Sequence, residues 1–215
     1  MEKAKISDAL QKVRQKKCNF KQSIDIVINL KNIDQKKDGE KLDFFVQLHY
    51  PKGKPAKVCA LVGPELYEQA KKECATAIVV DDFPKYQKDK RLVKQLARKH
   101  DFFIAQATIM PKVATVFGRV LGPKGKMPNP KAGCVVPPNA NLKQVIPRLN
   151  NLVRLNAKKE KIFSCSVGME EGKDEEIIDN IMTVYNQAVH HLPNEKQNIG
   201  SVYLKLTMSK PERID

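Results

Sequence analysis

Val58-Cys-Ala-Leu-Val-Gly-Pro64 is a continuous apolar run closed by a glycine and a proline. Similar short apolar runs follow at 77–80 and 102–107, and stretches with helical periodicity separate them. Uninterrupted apolar strands that alternate with helices are typical of βαβ units, in which helices cover both faces of a parallel sheet. The pattern therefore predicts an α/β Rossmann-like domain with a three-layer arrangement around a parallel sheet.

On either side of this stretch, strands are indicated by a different pattern. Apolar and polar residues alternate over 24–30, 42–48 and 162–167, and a further strand is predicted over 202–208. Alternation predicts strands with one buried face. Because the link over 31–41 is polar and rich in turn residues, we expect the first two strands to pair as a long hairpin.

Three helical patterns complete the outline. Residues 6–17 place apolar side chains at helical spacing, and a second amphipathic helix is predicted from Asp174 onward. A third helix is predicted over 141–155. It should be kinked or divided at Pro147, because proline cannot donate a backbone hydrogen bond and its ring disturbs the preceding turn.

The two styles of patterning divide the chain into domains. The alternating style belongs to residues 1–57 and 153–215, whereas the α/β style belongs to residues 58–152. The sequence thus predicts an α+β discontinuous domain built from both chain ends, with the Rossmann-like domain inserted into it. Two chain crossings would join the domains.

The chain is strongly basic. It carries 39 Lys and Arg residues against 24 Asp and Glu, a formal net charge of +15, which exceeds what solubility requires. No acidic residue lies between Asp101 and Glu160, a segment that contains ten lysines and arginines. A segment without counter-charges of its own attracts a polyanion, so the charge indicates a nucleic-acid partner.

The sequence lacks the motifs of catalysis and cofactor binding. Gly122-Pro-Lys-Gly-Lys126 has neither the spacing nor the hydroxyl residue of a Walker loop. His190 and His191 are adjacent on a helix and cannot chelate one metal together, and the five cysteines form no Cys-x-x-Cys pair. We therefore expect that the protein has no catalytic residue, binds no metal or cofactor, and is not an enzyme. With no signal peptide or membrane-spanning run, we expect a cytoplasmic protein.

The centre of the basic segment reads Gly118-Arg-Val-Leu-Gly-Pro-Lys-Gly-Lys-Met-Pro-Asn-Pro-Lys-Ala-Gly133. Its glycines permit close approach of the backbone, and its prolines stiffen the unpaired chain so that less entropy is lost on binding. The candidate phosphate contacts in this basic loop are Arg119, Lys124, Lys126 and Lys131.

These sixteen residues closely resemble the signature of the L-one family of large-subunit ribosomal stalk proteins, in its archaeal-type form. The resemblance covers the rest of the chain as well. Asn19-Phe-Lys-Gln-Ser-Ile-Asp25 is similar to the family's first RNA-contacting strand entry, and Leu206-Thr-Met-Ser-Lys-Pro211 is similar to its C-terminal recognition strand. The family's split two-domain architecture is the one that the patterning suggests independently.

The resemblance implies that the discontinuous domain makes the main contact with ribosomal RNA. Ser209 stands where the family usually has a glycine, which would let the backbone approach RNA closely. Phe20 or Met208 taken singly would be interpreted as core, but together at strand ends of one domain they are expected at the surface. Lys21 and Lys205 can supply charge for phosphates. The residues at the family's contact positions are Phe20, Asp25, Gly168, Ser201, Thr207, Met208 and Ser209.

The function implied by the resemblance is that of a structural component of a 50S-type ribosomal subunit. The protein would bind 23S-type rRNA at the mobile side stalk near the tRNA exit site, contact E-site tRNA to assist release of deacylated tRNA, and repress translation of its own mRNA through the leader. We expect a monomer when free, with no membrane partner. Two alternatives are disfavoured: a Rossmann-like enzyme would need a cofactor loop, and a non-specific architectural protein would carry lysine-rich low-complexity tails.

Overall fold

The computed structural model describes residues 2–15, 18–33, 42–157 and 160–214. The polar link predicted over 31–41 therefore lies largely outside the described residues, as do the last two residues of the helix predicted over 6–17. The chain forms two compact units. Unit 1 comprises Met1–Lys54 and Asn151–Asp215, and unit 2 comprises Pro55–Asn150.

The elements of both units are numbered along the chain. The strands are β1 (Ser23–Leu30), β2 (Asp43–Gln47), β3 (Val58–Val62), β4 (Thr76–Val79), β5 (Phe102–Gln106), β6 (Val135–Val136), β7 (Leu152–Asn156), β8 (Ile162–Met169), β9 (Ile199–Leu206) and β10 (Glu212–Arg213). The α-helices are α1 (Lys3–Val13), α2 (Pro64–Glu73), α3 (Phe83–Lys88), α4 (Lys90–Lys99), α5 (Met110–Leu121), α6 (Leu142–Asn150) and α7 (Asp174–His191). Short 3₁₀ turns cover Val80–Asp82, Ala107–Ile109, Pro130–Ala132 and Glu195–Asn198.

Unit 1 is built on a four-stranded antiparallel sheet with the order β10-β9-β1-β8. β1 lies in its middle, so that Ile26 pairs with Cys165 on one side and with Leu204 on the other. β2 does not pair with β1. It forms a separate antiparallel pair with β7, in which Phe44 lies opposite Leu155. The hairpin expected from the first two alternating runs is therefore wrong, because both runs find their partners in the C-terminal part of the chain.

The core of unit 1 lies between this sheet and the helices α1 and α7. Every second residue of β1, from Ile24 to Leu30, is buried, as the alternation predicts. Across from it, α1 buries Ile6, Ala9, Leu10 and Val13. α7 contributes Ile177, Ile181, Val184 and Ala188 to the same core. Because one face of the sheet is covered in this way, the other face is left free to carry polar side chains.

A buried amide fixes α7 to the sheet. Asn180 is 1% exposed, and its Nδ2 donates to the carbonyls of Val167 and Tyr50 at 3.0 and 3.1 Å. Its Oδ1 accepts from the Tyr50 N–H at 3.1 Å. One side chain thus satisfies three backbone groups on β8 and on the segment after β2, which an apolar residue of the same size would leave unpaired.

Unit 2 is a three-layer α/β structure. Its sheet has the order β4-β3-β5-β6, and all pairs are parallel. All five residues of β3 are buried, which explains its uninterrupted apolar sequence. Helices α3, α4 and α5 pack together, and α2 packs against α6. The predicted combination of an α+β part from both chain ends and an inserted parallel α/β part is confirmed.

The helix predicted over 141–155 is wrong in its second half. α6 ends at Asn150, and residues 152–156 form β7, which pairs with β2 in unit 1. Residues 152–156 are mainly apolar, with Arg154 as the one charged residue, and such a short run fits the periodicity of a helix or of a strand. Pairing with β2 makes it a strand. At this junction Asn150 Oδ1 accepts from the Ala56 N–H at 2.9 Å, and Leu48 N–H donates to the Asn151 carbonyl at 2.9 Å.

The crevice that often binds ligands in such sheets is filled by a side chain. β3 and β5 are neighbours in the sheet. After β3 the chain continues to β4 on one side, and after β5 it continues to β6 on the other side. Ligands of open α/β sheets bind at such a switch point. Here Gln106 is 4% exposed, and its Oε1 accepts from the Gly63 N–H at 2.9 Å. A Cβ on Gly63 would lie 2.9 Å from the same oxygen. The glutamine thus takes the place that a phosphate would need near the start of α2.

Replacing Asn180 with alanine should destabilise unit 1. Asn180→Ala leaves three backbone groups without their partner, which we expect to lower the free energy of unfolding by at least about 2 kcal/mol. Asn186→Ala, on the exposed side of the same helix, corrects for helix propensity and should change it by less than about 0.5 kcal/mol. Urea denaturation followed by circular dichroism measures both. Equal values for the two variants would contradict the anchoring role.

Candidate nucleic-acid interface

The uncovered face of the four-stranded sheet, the outer sheet face, is mainly polar. It is formed by the alternate residues that do not point to the core. Ser23, Asp25, Val27 and Asn29 come from β1, Ile162, Ser164 and Ser166 from β8, and Ser201, Tyr203 and Lys205 from β9. All of them are half-buried or exposed. Hydroxyl, amide, carboxylate and ammonium groups thus share one surface, which suits hydrogen bonding to a polar ligand.

Asp25 lies in the middle strand, opposite Ser166 on β8 and Lys205 on β9. Burial raises the pKa of its carboxyl group above the ordinary value, although the Lys205 ammonium and a hydrogen bond from Ser166 pull the pKa down. The side chain is therefore a desolvated acceptor held between a cation and a hydroxyl. Such an acceptor can bond to a ribose hydroxyl or to an amino group of a base.

Ser201 lies at the other end of the outer sheet face. Its Oγ accepts from Asn29 Nδ2 at 2.8 Å, and the two residues are paired across β9 and β1. The hydroxyl proton of Ser201 stays available to a ligand, because Asn29 uses only its oxygen. Along β9, Ser201 and Thr207 are six residues apart, or about 20 Å, so the predicted contacts extend over the whole length of the sheet.

The chain turns sharply after β9, and Thr207, Met208 and Ser209 form this C-terminal turn. The Ser209 N–H donates to the Leu206 carbonyl at 3.2 Å, and Ser209 Oγ accepts from the Leu206 N–H at 2.8 Å. Ser209 has no positive φ. A glycine is therefore not needed for the backbone conformation at this position, and the serine hydroxyl closes the turn instead.

Gln22 holds the C-terminal turn against β1, a role that the sequence did not suggest. It is fully buried, and its Oε1 accepts from the Met208 N–H at 3.0 Å. Its Nε2 points to Glu170 Oε2 at 3.4 Å. Next to it, the Ser23 N–H donates to Thr207 Oγ1 at 3.3 Å. A polar residue just before a strand carries no pattern that distinguishes it from solvated loop residues, and only its burial shows its role.

Phe20 and Met208 are exposed at this end of the sheet, by 53% and 58% respectively. The interpretation of either residue as core is thereby excluded. Phe20 and Lys21 line an open groove together with Cys18, Asn19, Glu170 and Glu171. Lys21 Nζ lies 2.9 Å from Glu171 Oε2, so its charge is partly offset on the surface.

Gly168 differs from the other predicted contacts because it is buried. It pairs with Ile24 next to a bulge in β8, and a Cβ at this position would lie 3.0 Å from Ile177 Cγ1 of α7. The close packing against α7 thus explains why this position is occupied by a glycine. A contact between its backbone and RNA stays a prediction.

In unit 2, the basic loop 118–133 splits into one anchoring residue and three exposed ones. Lys126 Nζ donates to the carbonyls of Ala97 and His100 at 3.1 and 2.7 Å, at the C-terminal end of α4. A cation suits this position, because the last carbonyls of a helix carry partial negative charge. The side chains that remain exposed are Arg119, Lys124 and Lys131.

The part of the chain that the structure describes gives little support for catalysis or metal binding. It contains no group of three His, Cys, Asp or Glu side chains that could hold a metal ion. His100 is buried, with Nδ1 3.0 Å from the Leu96 carbonyl and Nε2 3.0 Å from Thr76 Oγ1, so both nitrogens serve the fold. Burial raises the pKa of the Cys59 thiol to about 12, which keeps it protonated. No described helix is long and apolar enough to cross a membrane.

The chain thus consists of an antiparallel α+β unit with a polar sheet face, interrupted in sequence by a parallel α/β unit. The model of the Ribosomal protein L1p/L10e family matches residues 10–210, and the chain belongs to this family.

Three similar proteins carry the name Large ribosomal subunit protein uL1. The protein of Nanoarchaeum equitans is 42% identical over 212 residues, covering 96% of this chain and 98% of its own length. That of Methanothermococcus thermolithotrophicus is 37% identical over 217 residues, with both chains fully covered. That of Pyrococcus abyssi is 34% identical over 216 residues, covering 99% of this chain and 96% of its own length. The family is therefore shown over nearly the whole chain.

Removing the charge of Asp25 should stabilise the fold at neutral pH. Because the pKa of the Asp25 carboxyl group is higher in the folded state, the folded state binds the proton more tightly than the unfolded state does. The free energy of unfolding therefore decreases as the pH rises above 3.8, the ordinary pKa of this group. We expect Asp25→Asn to melt at a higher temperature than the wild type at pH 7, and the difference to shrink towards pH 4. Asp8→Asn, exposed on α1, is the control. A lower melting temperature for Asp25→Asn at pH 7 would show that the carboxylate stabilises the fold.

Proposed function

We propose that the protein is a component of the large ribosomal subunit and binds large-subunit rRNA through the outer sheet face and the C-terminal turn. The rRNA element is the base of the mobile side stalk near the tRNA exit site. Support comes from the family membership and from the name shared by the three relatives. As part of the ribosome, the protein would act in the cytoplasm.

The observation that carries the proposal is the joint exposure of Phe20 and Met208 beside polar groups of the sheet. Large apolar side chains that stay in water cost free energy unless a partner covers them. Gln22 holds the Met208 backbone in place, so the methionine is presented from an ordered turn. An aromatic ring and a pliable thioether next to hydroxyl groups match the way RNA is recognised, by stacking and by contacts to 2′-hydroxyl groups.

Each predicted contact has a role that its surroundings support. Phe20 stacks on a base or ribose, and Met208 packs beside it. The hydroxyl groups of Thr207 and Ser201 bond to 2′-hydroxyl groups or base edges, and Asp25 accepts from a ribose or base donor. Ser209 keeps the turn closed, so the RNA backbone approaches a serine where the family usually offers a glycine.

The outer sheet face and the groove lined by Phe20 and Lys21 carry little free charge. Lys205 is next to Asp25, and Lys21 is paired with Glu171. Recognition there depends on shape, stacking and hydrogen bonds more than on counterion release. We therefore expect specific binding by unit 1 with a small salt dependence, which distinguishes it from a non-specific polyanion binder.

Thr207→Ala should weaken binding to the stalk-base rRNA fragment. Loss of one hydroxyl contact to RNA is expected to cost about 1–3 kcal/mol, or roughly a fivefold to 150-fold rise in Kd. The measurement is a titration of labelled rRNA fragment with the full chain, competed with unrelated folded RNA. Thr108→Ala removes an exposed threonine from unit 2 and is the matched control.

The same titration tests repression of the protein's own mRNA, because a leader that mimics the rRNA site must compete for the outer sheet face. Displacement of the rRNA fragment by the leader, weakened by Thr207→Ala, supports the proposal. If Thr207→Ala binds the rRNA fragment as tightly as the wild type, the C-terminal turn is not part of the rRNA site. A leader that fails to compete would refute only the repressor role.

We further propose that the basic loop of unit 2 contacts tRNA as it leaves the ribosome. Lys124 and Lys131 are exposed, and the bonds of Lys126 to the end of α4 hold the loop in place. Asn129 Oδ1 accepts from the Lys131 N–H at 2.9 Å, which orders the turn that carries this lysine. Two point charges on a stiffened loop suit contacts with phosphates.

Replacing Lys124 and Lys131 with glutamine should weaken binding of deacylated tRNA about threefold to tenfold, because two phosphate contacts are lost. Lys126 is left unchanged in this variant, since its loss would disturb the loop itself. Fluorescence anisotropy with labelled tRNA, at two salt concentrations, gives the affinities. The control replaces Lys71 and Lys72, exposed on α2, in the same way. Equal losses in both variants would mean that only total charge matters.

A further inference from the structure

Helix α4 carries the densest positive charge of unit 2, outside the basic loop. The segment 83–100 contains seven lysines and arginines and one acidic residue, Asp89. Unit 2 as a whole has seventeen basic residues against seven acidic ones.

The basic residues of α4 share one side of the helix. Val93 and Ala97 are buried in the core of unit 2, whereas Lys90, Lys94 and Arg98 are exposed. These three follow a spacing of four residues, so they lie in one row on the helix surface. The row is about 12 Å long at 1.5 Å per residue. Two further exposed cations of this helix, which flank the row, are Arg91 and Lys99.

These cations have no acidic partner among the described residues, which include all of unit 2. Asp89 is engaged by the helix itself, since its Oδ1 accepts from the Arg91 N–H at 2.8 Å. Asp101, beyond the other end, accepts from the Lys57 N–H at 3.0 Å. A row of like charges repels itself and weakens the isolated helix, so its presence indicates a polyanion that neutralises it.

The surroundings favour the backbone of duplex RNA over other polyanions. The exposed large hydrophobic side chains of the described residues are Phe20, Tyr50, Ile162 and Met208, and all of them belong to unit 1. Single-stranded nucleic acid is bound by stacking on exposed aromatic rings, and membrane surfaces are bound by helices with an apolar face turned outward. The exposed side of α4 offers only cations and Gln95, which suits the phosphate backbone of a duplex.

We propose that the exposed side of α4 is a second RNA-binding surface, which holds the phosphate backbone of A-form duplex RNA without reading its sequence. This surface adjoins the basic loop, because Lys126 joins the loop to the C-terminal end of α4. It does not depend on the rRNA site of unit 1. The α4 surface increases the affinity for RNA through counterion release, and this increase does not depend on the identity of the bases.

The test compares two triple variants of the full chain. In the first, Lys90, Lys94 and Arg98 are changed to glutamine, which has a similar helix propensity. In the control, Lys3, Lys5 and Lys12 of α1 are changed to glutamine, so that both variants lose three exposed charges. Circular dichroism and melting temperature confirm that each variant folds. The probe is a fully paired RNA duplex of about 20 base pairs, without loop or bulge.

We expect the α4 variant to bind the duplex at least about tenfold more weakly at moderate salt. The slope of log affinity against log salt concentration should become less negative by about 2 to 3, because each lost phosphate contact changes it by about one. The control variant should stay within about twofold of the wild type, and so should Thr207→Ala, which belongs to the rRNA site.

Three outcomes would overturn the proposal. Equal losses in the α4 and α1 variants would show that only net charge matters. Unchanged duplex binding by the α4 variant would exclude the helix, whatever the basic loop does. Wild-type protein that ignores the duplex but binds phosphatidylserine-containing vesicles through α4 would assign the surface to a membrane. None of these results depends on the stalk-base rRNA titration, so the two proposals fail separately.

Discussion

The position of β1 between β8 and β9 is the constraint on which the rest of the structure depends. β1 comes from the N-terminal part of the chain, whereas both of its partners come from the C-terminal part. Every backbone group of a central strand needs a partner, so the two chain ends must meet in one sheet. Unit 2 is then necessarily an insertion. The same pairing brings the segment before β1 next to the C-terminal turn, where the Ser23 N–H meets Thr207 Oγ1.

The surfaces of the two units differ in chemistry. In unit 1, the cations Lys21 and Lys205 have carboxylates beside them, and the outer sheet face and the C-terminal turn add hydroxyl groups and exposed apolar side chains. Unit 2 has an excess of unpaired cations on α4 and on the basic loop, without exposed aromatic rings. Sequence-selective recognition needs the first kind of surface, whereas attraction to any phosphate backbone needs the second.

Local patterning predicted the strands well where burial is regular, with every second residue buried in β1 and every residue buried in β3. It failed where the choice depends on a distant partner. The run 152–156 became a strand because β2 is available to pair with it, and residues 24–30 found partners other than the nearest alternating run. Within the candidate site, resemblance to the family indicated Phe20, Thr207 and Met208. It gave no hint of Gln22, whose role is visible only as burial with a hydrogen bond to the Met208 backbone.

The sequence by itself determined the split architecture, the basic character and the family, because periodicity, charge and a sixteen-residue signature are properties of the chain order. The tertiary structure decided which of the candidate groups face solvent. Lys126 became an anchor because the carbonyls at the end of α4 lie within reach of its ammonium group, while Lys124 two residues earlier stays exposed. Gly168 faces α7, and Ser209 closes a turn. Such roles arise from contacts between residues far apart in the chain, and no local pattern contains that information.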